Sequence, residues 1–439
     1  MVSIIVKHLK NGIQWIVFLF IVGSAIGSAC AFFLWSLDEV THIRWTHPWL
    51  LYGLPLGGLL VALLYHHYGA SVEGGTNLIL DEIHQPGGGI PKRMTPFVLF
   101  GTLLTHLCGG SVGREGTAVQ MGGSIASAFA RFLKFKDRKL RILLMSGIAA
   151  GFAGVFGTPL AGAIFAVEVL AIGKIQWNIL LPSLIAAYIG DWACSAWHIH
   201  HTQYSVSSHI PFNFTYIDFV VKVLLASILF GGTAKLFSEL THFTQSYFKR
   251  IITIPYLRPF FGGMIVIGLT YWVGTQDYLG LGVSNPNPHS VSILTAFYEH
   301  LPPWAWLLKL LFTVVSIGSG FKGGEVTPLF FIGATLGNAI AWALNAPPDI
   351  FAALGFIAVF AAAVNTPLAC TLMGIELFGP ENGLYFALSC FLAFVFSGHS
   401  GIYLSQKITK PKPFTKHSFE DTGLRALQER KRIKGKPLI

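Results

Sequence analysis

Charged residues divide this sequence of 439 residues into long stretches that contain no Asp, Glu, Lys or Arg. The longest stretches are residues 11–37, 142–167, 192–217 and 350–375, and each exceeds the roughly 20 residues that a membrane-spanning helix needs. Only 11% of the residues are charged, whereas soluble domains carry roughly a quarter, so a soluble protein is excluded. The alternation typical of a membrane β-barrel is absent. We therefore predict an all-α polytopic membrane protein, in which Gly and Pro break several helices.

The remaining charges are unevenly placed and suggest an orientation. The tail at residues 407–439 holds ten Lys or Arg against three acidic residues, and the loop at residues 131–141 holds six against one. By the positive-inside rule both segments are cytoplasmic, and attraction to the inner leaflet explains their charge without a nucleic-acid partner. We predict a membrane transport domain over residues 1–406, a basic cytoplasmic tail over 407–439, and both termini in the cytoplasm.

An internal repeat divides the membrane domain into two halves, roughly residues 11–200 and 215–406. Gly-Arg-Glu-Gly-Thr at 113–117 is matched by Gly-Gly-Glu-Val-Thr at 323–327, and Thr-Pro-Leu-Ala at 158–161 is matched by the same four residues at 366–369. A glutamate follows each Thr-Pro-Leu-Ala, at Glu168 and Glu376, and we interpret both glutamates as structural caps or as residues exposed to solvent. Duplicated halves with broken segments at matching positions are typical of secondary transporters.

Two glycine-rich loops carry the chemistry that the sequence suggests. Each loop, at residues 109–117 and 318–324, leads into a helix whose N-terminus offers unpaired N–H groups and a partial positive charge to an anion. Each also carries a carboxylate, Glu115 or Glu325. A carboxylate at an anion site is explained if it moves or takes up a proton. The structural alternatives are ion pairs of Glu115 with Arg114 and of Glu325 with Lys322, or exposure of the carboxylates in a water-filled vestibule. No metal or organic cofactor is expected.

These motifs resemble the CLC family of anion channels and transporters, from about residue 75 to Tyr403. The resemblance rests on Gly-Arg-Glu-Gly at 113–116, the second loop at 323–328, the segments 150–168 and 361–376, and Gly-Ile-Tyr at 401–403. It implies an all-helical homodimeric anion transporter with two inverted halves. It also implies that Glu115 is the gating and proton-carrying glutamate and that the Tyr403 hydroxyl contacts the central anion.

Departures from the chloride branch resemble the fluoride branch, whose members exchange fluoride for protons. Thr117 stands where the chloride branch has proline, residues 74–79 lack the proline of the chloride loop, and Val169 replaces a proton-transfer glutamate. The chain also lacks the methionine and aromatic residues that other fluoride members carry in the first loop. We assign Glu325 to the proton route or the inner anion contact. The candidate anion contacts, which lie in or beside the loops, are Thr76, Asn77, Leu80, Gly113, Gly116, Thr117, Thr327 and Tyr403.

The sequence thus predicts a fluoride/proton antiporter that exports fluoride across a bacterial inner membrane, with fluoride, protons and membrane lipid as partners. The alternative is a chloride/proton exchanger or a chloride channel of the same fold. A second alternative, an intramembrane serine protease, has only Gly-His-Ser-Gly at 398–401 and His417 in the tail to support it. A histidine-rich segment at 198–209 is interpreted as a surface loop, because it has no acidic or Cys partners.

Overall fold

A computed structural model describes residues 2–212, 214–413 and 422–433 of the chain, so His417 lies outside the described residues. Helices dominate the fold, in agreement with the all-α prediction. The helices of the first half are α1 (Val2–Thr46), α2 (Leu54–Tyr68), α3 (Gly75–His84), α4 (Met94–Leu107), α5 (Glu115–Phe132), α6 (Asp137–Phe156), α7 (Pro159–Glu168) and α8 (Leu180–Ser195).

The second half repeats this pattern of long and short helices. Its helices are α9 (Ile217–Ile251), α10 (Arg258–Val273), α11 (Ala305–Ser319), α12 (Val326–Leu344), α13 (Pro348–Val364), α14 (Pro367–Phe378) and α15 (Gly383–Phe396), and α16 (Leu424–Ile433) follows in the tail. Three two-residue strands complete the described chain: β1 (Ala171–Ile172), β2 (Lys407–Ile408) and β3 (Thr422–Gly423).

The lengths of the helices show that the fold is polytopic and that many helices are short. Within the described residues, five helical segments are long and apolar enough to cross a membrane: Gly12–Thr46 of α1, Pro48–Tyr68, which includes α2, and the whole of α6, α9 and α12. Six further apolar helices have only 10–17 residues. The prediction of broken helices is therefore confirmed. The reason is local, because α7, α13 and α14 each begin with a proline, which fits the first turn of a helix but not its interior.

Two carboxylates, buried Glu168 and half-buried Glu376, link the two halves of the chain. Glu376 of α14 accepts hydrogen bonds from the Leu160 and Ala161 amides at the start of α7, at 2.9 and 2.8 Å. Glu168 of α7 accepts hydrogen bonds from the corresponding amides at the start of α14, at 3.2 and 2.8 Å. Each carboxylate satisfies amides that the first helical turn leaves unpaired. Of the two interpretations, the structure therefore shows capping for both glutamates, and each glutamate caps a helix of the other half.

The beginning of the tail packs against the membrane domain. Strand β2 pairs in parallel with β1 and antiparallel with β3. Leu424 and Leu427 of α16 are buried in a small cluster with Ile172 and Ile408. This tail segment therefore contributes two strands of a three-stranded sheet, whose third strand, β1, lies in the first half. A division between a membrane domain and a separate tail at residues 406 and 407 stays a prediction.

Candidate functional site: a carboxylate at the junction of two glycine loops

The two glycine loops meet in the interior of the protein. Gly113 and Gly324 form an antiparallel bridge, in which the Gly113 amide donates to the Gly324 carbonyl at 2.5 Å and the Gly324 amide donates to the Gly113 carbonyl at 2.7 Å. The loops lead into α5 and α12, so the N-termini of these two helices lie side by side. The structure thus brings together the two anion-binding loops that the sequence repeat predicts.

This contact requires the absence of a side chain. A Cβ atom on Gly324 would lie 2.7 Å from the Gly116 amide nitrogen, and one on Gly113 would lie 2.9 Å from the Pro328 ring. Real Cβ atoms do not approach so closely to backbone or ring atoms. Gly323 has a φ of +154°, a conformation that L side chains rarely adopt. Glycine therefore allows the backbones of the two halves to touch.

Glu115 lies at the junction, and its side chain crosses from the first half to the second. Its residue is only 1% exposed. One carboxylate oxygen accepts hydrogen bonds from the Arg114 amide at 3.1 Å and from the Thr327 amide at 3.0 Å, while the other accepts a hydrogen bond from the Thr327 hydroxyl. Thr327 is in the first turn of α12, where an amide lacks an intrahelical partner. The carboxylate thus binds where an anion at this helix terminus would bind.

A small cavity adjoins the Glu115 carboxylate. Its volume is about 20 Å³, and Glu115, Thr327 and the rings of Phe156, Phe330 and Phe356 are among the residues that line it. A volume of this size holds roughly one water-sized species. The rings of Phe330 and Phe356 are stacked with centroids 3.9 Å apart, and the edges of aromatic rings carry partial positive charge. The cavity therefore combines hydrogen-bond donors with an aromatic wall.

The sequence analysis did not identify these phenylalanines. Phe330 follows Thr327 by three residues, so both lie on the same face of α12, and this spacing was a usable signal. Phe156 is the last residue of α6, directly before Gly157 in the left-handed conformation. No local pattern relates Phe156 or Phe356 to Glu115, since only the packing of α6 and α13 against α12 brings them together.

Glu325 and Tyr403 lie close to Glu115. Glu325 is half-buried, and its carboxylate lies beside Gly116, 3.9 Å from the position of a Cβ on that glycine. Tyr403 is 3% exposed and lies within electrostatic range of both glutamates. The two carboxylates also repel each other. The structure therefore brings together the three residues to which the sequence analysis gave proton or central anion roles.

The other predicted anion contacts are placed differently. The Thr117 hydroxyl is 2.7 Å from the Thr102 hydroxyl of α4, so its described partner is α4 and not Glu115. Leu80 is fully buried in the hydrophobic core. Asn77 accepts a hydrogen bond from the Ser405 amide at 3.0 Å, which ties the start of α3 to the loop that carries Tyr403. Thr76 is buried in the first turn of α3.

One of the two alternative ion pairs is present. The Arg114 Nε atom lies 3.8 Å from a Glu115 carboxylate oxygen, but a pair at this distance is weaker than the hydrogen bonds from Thr327. The Lys322 Nζ atom lies 4.1 Å from the centroid of the Tyr65 ring. Lys322 is thus engaged in a cation–π contact with α2. The residues around Glu115 can hold a negative charge, and protonation of the carboxylate would weaken its bonds to α12.

A helical membrane fold with duplicated halves, and with two broken-helix termini at one buried carboxylate, is typical of ion-transport proteins. The family model described as "Voltage gated chloride channel" matches residues 57–398. The chain therefore belongs to the voltage-gated chloride channel family, known as the CLC family, whose members move ions across membranes.

Relatives and solved structures agree with this assignment. The chain is 46% identical over 405 residues to the "Chloride/fluoride channel protein" of Pseudomonas syringae pv. tomato, covering 91% of this chain and 87% of that protein. It is 33% identical to a solved CLC-type fluoride/proton antiporter, with a TM-score of 0.84 over 90% of this chain and 98% of the other. A slow cyanobacterial Cl⁻/H⁺ antiporter shares the fold, with a TM-score of 0.74 at 22% identity, over 97% of this chain and 99% of the other.

Proposed function

We propose that this protein is a fluoride/proton antiporter that exports fluoride across the bacterial inner membrane, driven by inward proton flux. The observation that carries the proposal is the Glu115 carboxylate, which accepts hydrogen bonds from both the amide and the hydroxyl of Thr327. A carboxylate held at a helix N-terminus competes with any anion for the same donors. Transport of an anion through this point therefore requires that Glu115 moves away or becomes neutral.

Protonation supplies the coupling step. A neutral carboxyl is a weaker acceptor than a carboxylate, so a proton on Glu115 releases the Thr327 donors to an incoming anion. When the proton leaves toward the other side, the carboxylate returns to those donors and displaces the anion. Glu325 lies close enough to interact with Glu115 and is the second carboxylate of the loops, so we assign it to proton transfer. Tyr403 supplies a hydroxyl donor on the same path.

The size of the cavity beside Glu115 supports fluoride over chloride. Fluoride is small and strongly hydrated, so a site must return strong, close hydrogen bonds when it removes water. The cavity of about 20 Å³ lies directly beside the two Thr327 donors. Fluoride also appears in the name of the Pseudomonas relative and in the activity of the solved fluoride/proton antiporter. We expect a preference for fluoride over chloride of at least roughly tenfold, about 1.4 kcal/mol.

Vesicles loaded with equal concentrations of both ions test the proposal. Purified protein in liposomes is expected to release fluoride, measured with an ion-selective electrode, and to move protons in the opposite direction, measured with a pH dye inside the vesicles. Empty liposomes are the control. Chloride release as fast as fluoride release would contradict the fluoride assignment. The chloride/proton exchanger would then be favoured, or the chloride channel if no protons move.

We further propose that the functional unit is a homodimer in the inner membrane with both termini in the cytoplasm. The dimer is proposed from the resemblance to the CLC family, and the orientation is supported by the basic segments at residues 131–141 and 407–439, which favour the cytoplasmic side. Cysteine labelling tests the orientation, because a cysteine placed at exposed Arg425 should be protected from an impermeant reagent in intact cells. Labelling of this cysteine in intact cells would contradict the cytoplasmic orientation. Chemical crosslinking in membranes tests the dimer, and a purely monomeric band would contradict it.

A further inference from the structure

An apolar groove lies on the outer surface of the protein, between α9 and α10. Its volume is about 700 Å³, and its walls come from the end of α9, the turn that follows, and the first half of α10. Lining residues recur every three or four positions along each wall, and they include Thr244, Tyr247, Ile251, Leu257, Phe261 and Ile265. This spacing places them on one face of each helix, and most of these side chains are exposed.

Three basic residues lie at the end of the groove that is formed by the turn. Lys249 and Arg250 are exposed in the last turn of α9, and the next residue lines the groove. The Arg258 guanidinium donates to the carbonyls of Ile252 and Thr253, at 2.9 and 3.4 Å, and both of these residues line the groove as well. Neutral carbonyls do not cancel its charge. In the part of the chain that the structure describes, none of the three cations has a carboxylate within 4.0 Å.

The charge pattern predicts that this turn faces the cytoplasm. Helix α9 is long and apolar enough to cross the membrane, and its basic end favours the cytoplasmic side. The groove extends roughly 10 Å from the turn along the helices, which is less than the roughly 15 Å of hydrocarbon in one leaflet. The cytoplasmic leaflet contains anionic lipids, which attract basic residues near its surface. The groove and its cations therefore match the acyl chain and the headgroup of such a lipid.

A second copy of this chain fits the groove less well. In a twofold interface the same patch meets itself, so the cations of one copy would face those of the other, and like charges across an interface are unfavourable. Helix α8, in contrast, exposes Leu181, Tyr188 and Trp192 and contains no Lys or Arg. An uncharged apolar face for a second copy thus exists elsewhere on the surface.

The helices of the groove also support the second glycine loop. A Cβ on Gly318 would lie 2.6 Å from the Thr244 side chain and 3.3 Å from the Gln245 amide nitrogen. A Cβ on Gly320 would lie 3.5 Å from the Pro259 ring at the start of α10. The loop therefore packs closely against α9 and lies beside α10. Because Thr244 contacts the loop and also lines the groove, an occupant of the groove is one residue away from the loop.

We propose that this groove is a binding site for an acidic phospholipid of the cytoplasmic leaflet. One acyl chain lies between α9 and α10, and the phosphate lies beside Lys249, Arg250 and Arg258. Burial of the chain and attraction to the headgroup both contribute to binding, so a zwitterionic lipid binds less well and a phosphate without chains does not bind. Through Thr244 the lipid holds the second glycine loop in place, and this effect on transport rests on the proposed function.

Native mass spectrometry of the full chain measures the bound lipid directly. The probe is an equal mixture of phosphatidylglycerol and phosphatidylcholine with the same acyl chains. The protein is expected to retain phosphatidylglycerol roughly fivefold better, which corresponds to the attraction of about one basic residue for an anionic surface. Lys249→Gln combined with Arg250→Gln should abolish this preference, because only Arg258 then remains beside the phosphate.

A second double variant is the matched control. Lys136→Gln combined with Arg138→Gln also removes two exposed cations, from the basic segment at residues 131–141 that is predicted to face the cytoplasm. It should retain phosphatidylglycerol as the unmodified protein does. The absence of a preference in the unmodified protein, or an equal loss of preference in both double variants, would overturn the proposal.

Two further comparisons test the role of the acyl chain. Glycerol phosphate carries a charged headgroup without chains and should not displace the bound lipid. Phe261→Ala removes part of one wall but leaves the cations, so it should weaken the retention of both lipids, while size-exclusion chromatography checks that the variant is folded. Displacement by glycerol phosphate, or unchanged retention in Phe261→Ala, would contradict a site for an acyl chain.

Fluoride efflux tests the link between the lipid and the loop. The unmodified protein and the control double variant should transport faster in vesicles that contain phosphatidylglycerol than in vesicles of phosphatidylcholine alone. Lys249→Gln combined with Arg250→Gln should transport equally fast in both, although the surface charge of the vesicles is the same for all variants. Equal responses of the two double variants would contradict the link. Lipid retention in a protein without fluoride/proton exchange would refute the proposed function alone, so the two failures are distinguishable.

Discussion

At the scale of single residues, Glu115 and Thr327 concentrate the chemistry of the protein. The Glu115 carboxylate accepts hydrogen bonds from the amide and the hydroxyl of Thr327 at the start of α12. These bonds are strong only while the carboxylate is charged and stays in this position. The same donors suit a small anion. The competition between side chain and anion for Thr327 is therefore the physical basis of the proposed exchange, and it yields two predictions.

The first concerns the charge of Glu115. Glu115→Gln keeps the size of the side chain but cannot take up and release a proton, so proton-driven fluoride flux should fall at least roughly a hundredfold, as for the loss of a proton-transfer group. The measurement is fluoride efflux from vesicles with an imposed pH gradient. Size-exclusion chromatography checks that the variant is folded. Full coupled exchange in this variant would remove Glu115 from the mechanism.

The second prediction concerns the proton route through Glu325. Val169 cannot carry a proton, whereas Glu325 lies beside Gly116 and interacts with Glu115. Glu325→Ala should therefore lower the number of protons moved per fluoride, while Glu168→Ala should leave this ratio unchanged because Glu168 caps α14. Reversal potentials measured at two pH gradients give the ratio. If both variants change the number of protons moved per fluoride equally and only slightly, Glu325 has a structural role and does not transfer protons.

At the scale of elements, the tail helix α16 is attached to the loop that carries Tyr403. The Leu424 and Arg425 amides each donate at 3.0 Å, to the carbonyls of Gln406 and Leu404 respectively, and the Arg425 guanidinium lies 3.6 Å from Asp81 of α3. This ion pair is about half exposed, so it contributes little, about 0–1 kcal/mol. Burial of the leucines holds the helix more strongly.

A comparison of two tail variants follows from these magnitudes. Leu427→Asp puts a charge into the buried cluster and should detach α16, which removes two hydrogen bonds from the Tyr403 loop and raises the half-saturating fluoride concentration about twofold or more. Arg425→Ala, which removes the exposed pair with Asp81 and one hydrogen bond to the Ser405 hydroxyl at 3.2 Å but leaves the buried leucines in place, should change the half-saturating concentration less than Leu427→Asp does. Fluoride flux measured over a range of concentrations checks both. If Leu427→Asp behaves like Arg425→Ala, α16 does not influence the position of Tyr403.

At the scale of the whole molecule, the two halves are joined by crossed contacts of their broken helices. The glycine loops bridge at Gly113 and Gly324, and Glu168 and Glu376 each cap a helix of the other half. Glu115 extends the same principle, because a first-half side chain binds a second-half helix. The transport site therefore lies where the halves must fit together, and its stability depends on contacts that neither half makes alone.

The stability of this junction can be measured. Glu168→Ala and Glu376→Ala each remove a carboxylate from two amides, and each should lower the free energy of unfolding by about 1–2 kcal/mol, the range for the loss of a helix cap. Thermal unfolding in detergent measures the change. Asp218→Ala is a suitable control, because Asp218 is largely exposed and its partner Lys222 lies one turn along the same helix. Equal melting temperatures for all three variants would show that the crossed caps do not hold the halves together.

Much of this protein follows from local properties of the sequence. Uncharged stretches determine helices in a membrane, prolines and glycines determine where those helices break, and the repeat at Glu115 and Glu325 marks the loops that form the site. These are properties of residues and their near neighbours, so no tertiary information is needed to recognise them. The sequence left Glu168 and Glu376 between capping and exposure to solvent, and the structure decided for capping because each carboxylate meets the free amides of a helix in the other half.

Other features depend on packing between distant segments, and only the tertiary structure decided them. The Thr117 hydroxyl is hydrogen-bonded to the Thr102 hydroxyl of α4, and Leu80 is buried in the hydrophobic core. Phe156, at the end of α6, lines the cavity beside Glu115. Arg44 stands 70 residues before Arg114, and no pattern in the sequence relates them, yet both line one cavity of about 380 Å³. The direction of a side chain is set by the neighbours that surround it in three dimensions, and those neighbours come from helices whose order in the chain does not reveal their contacts.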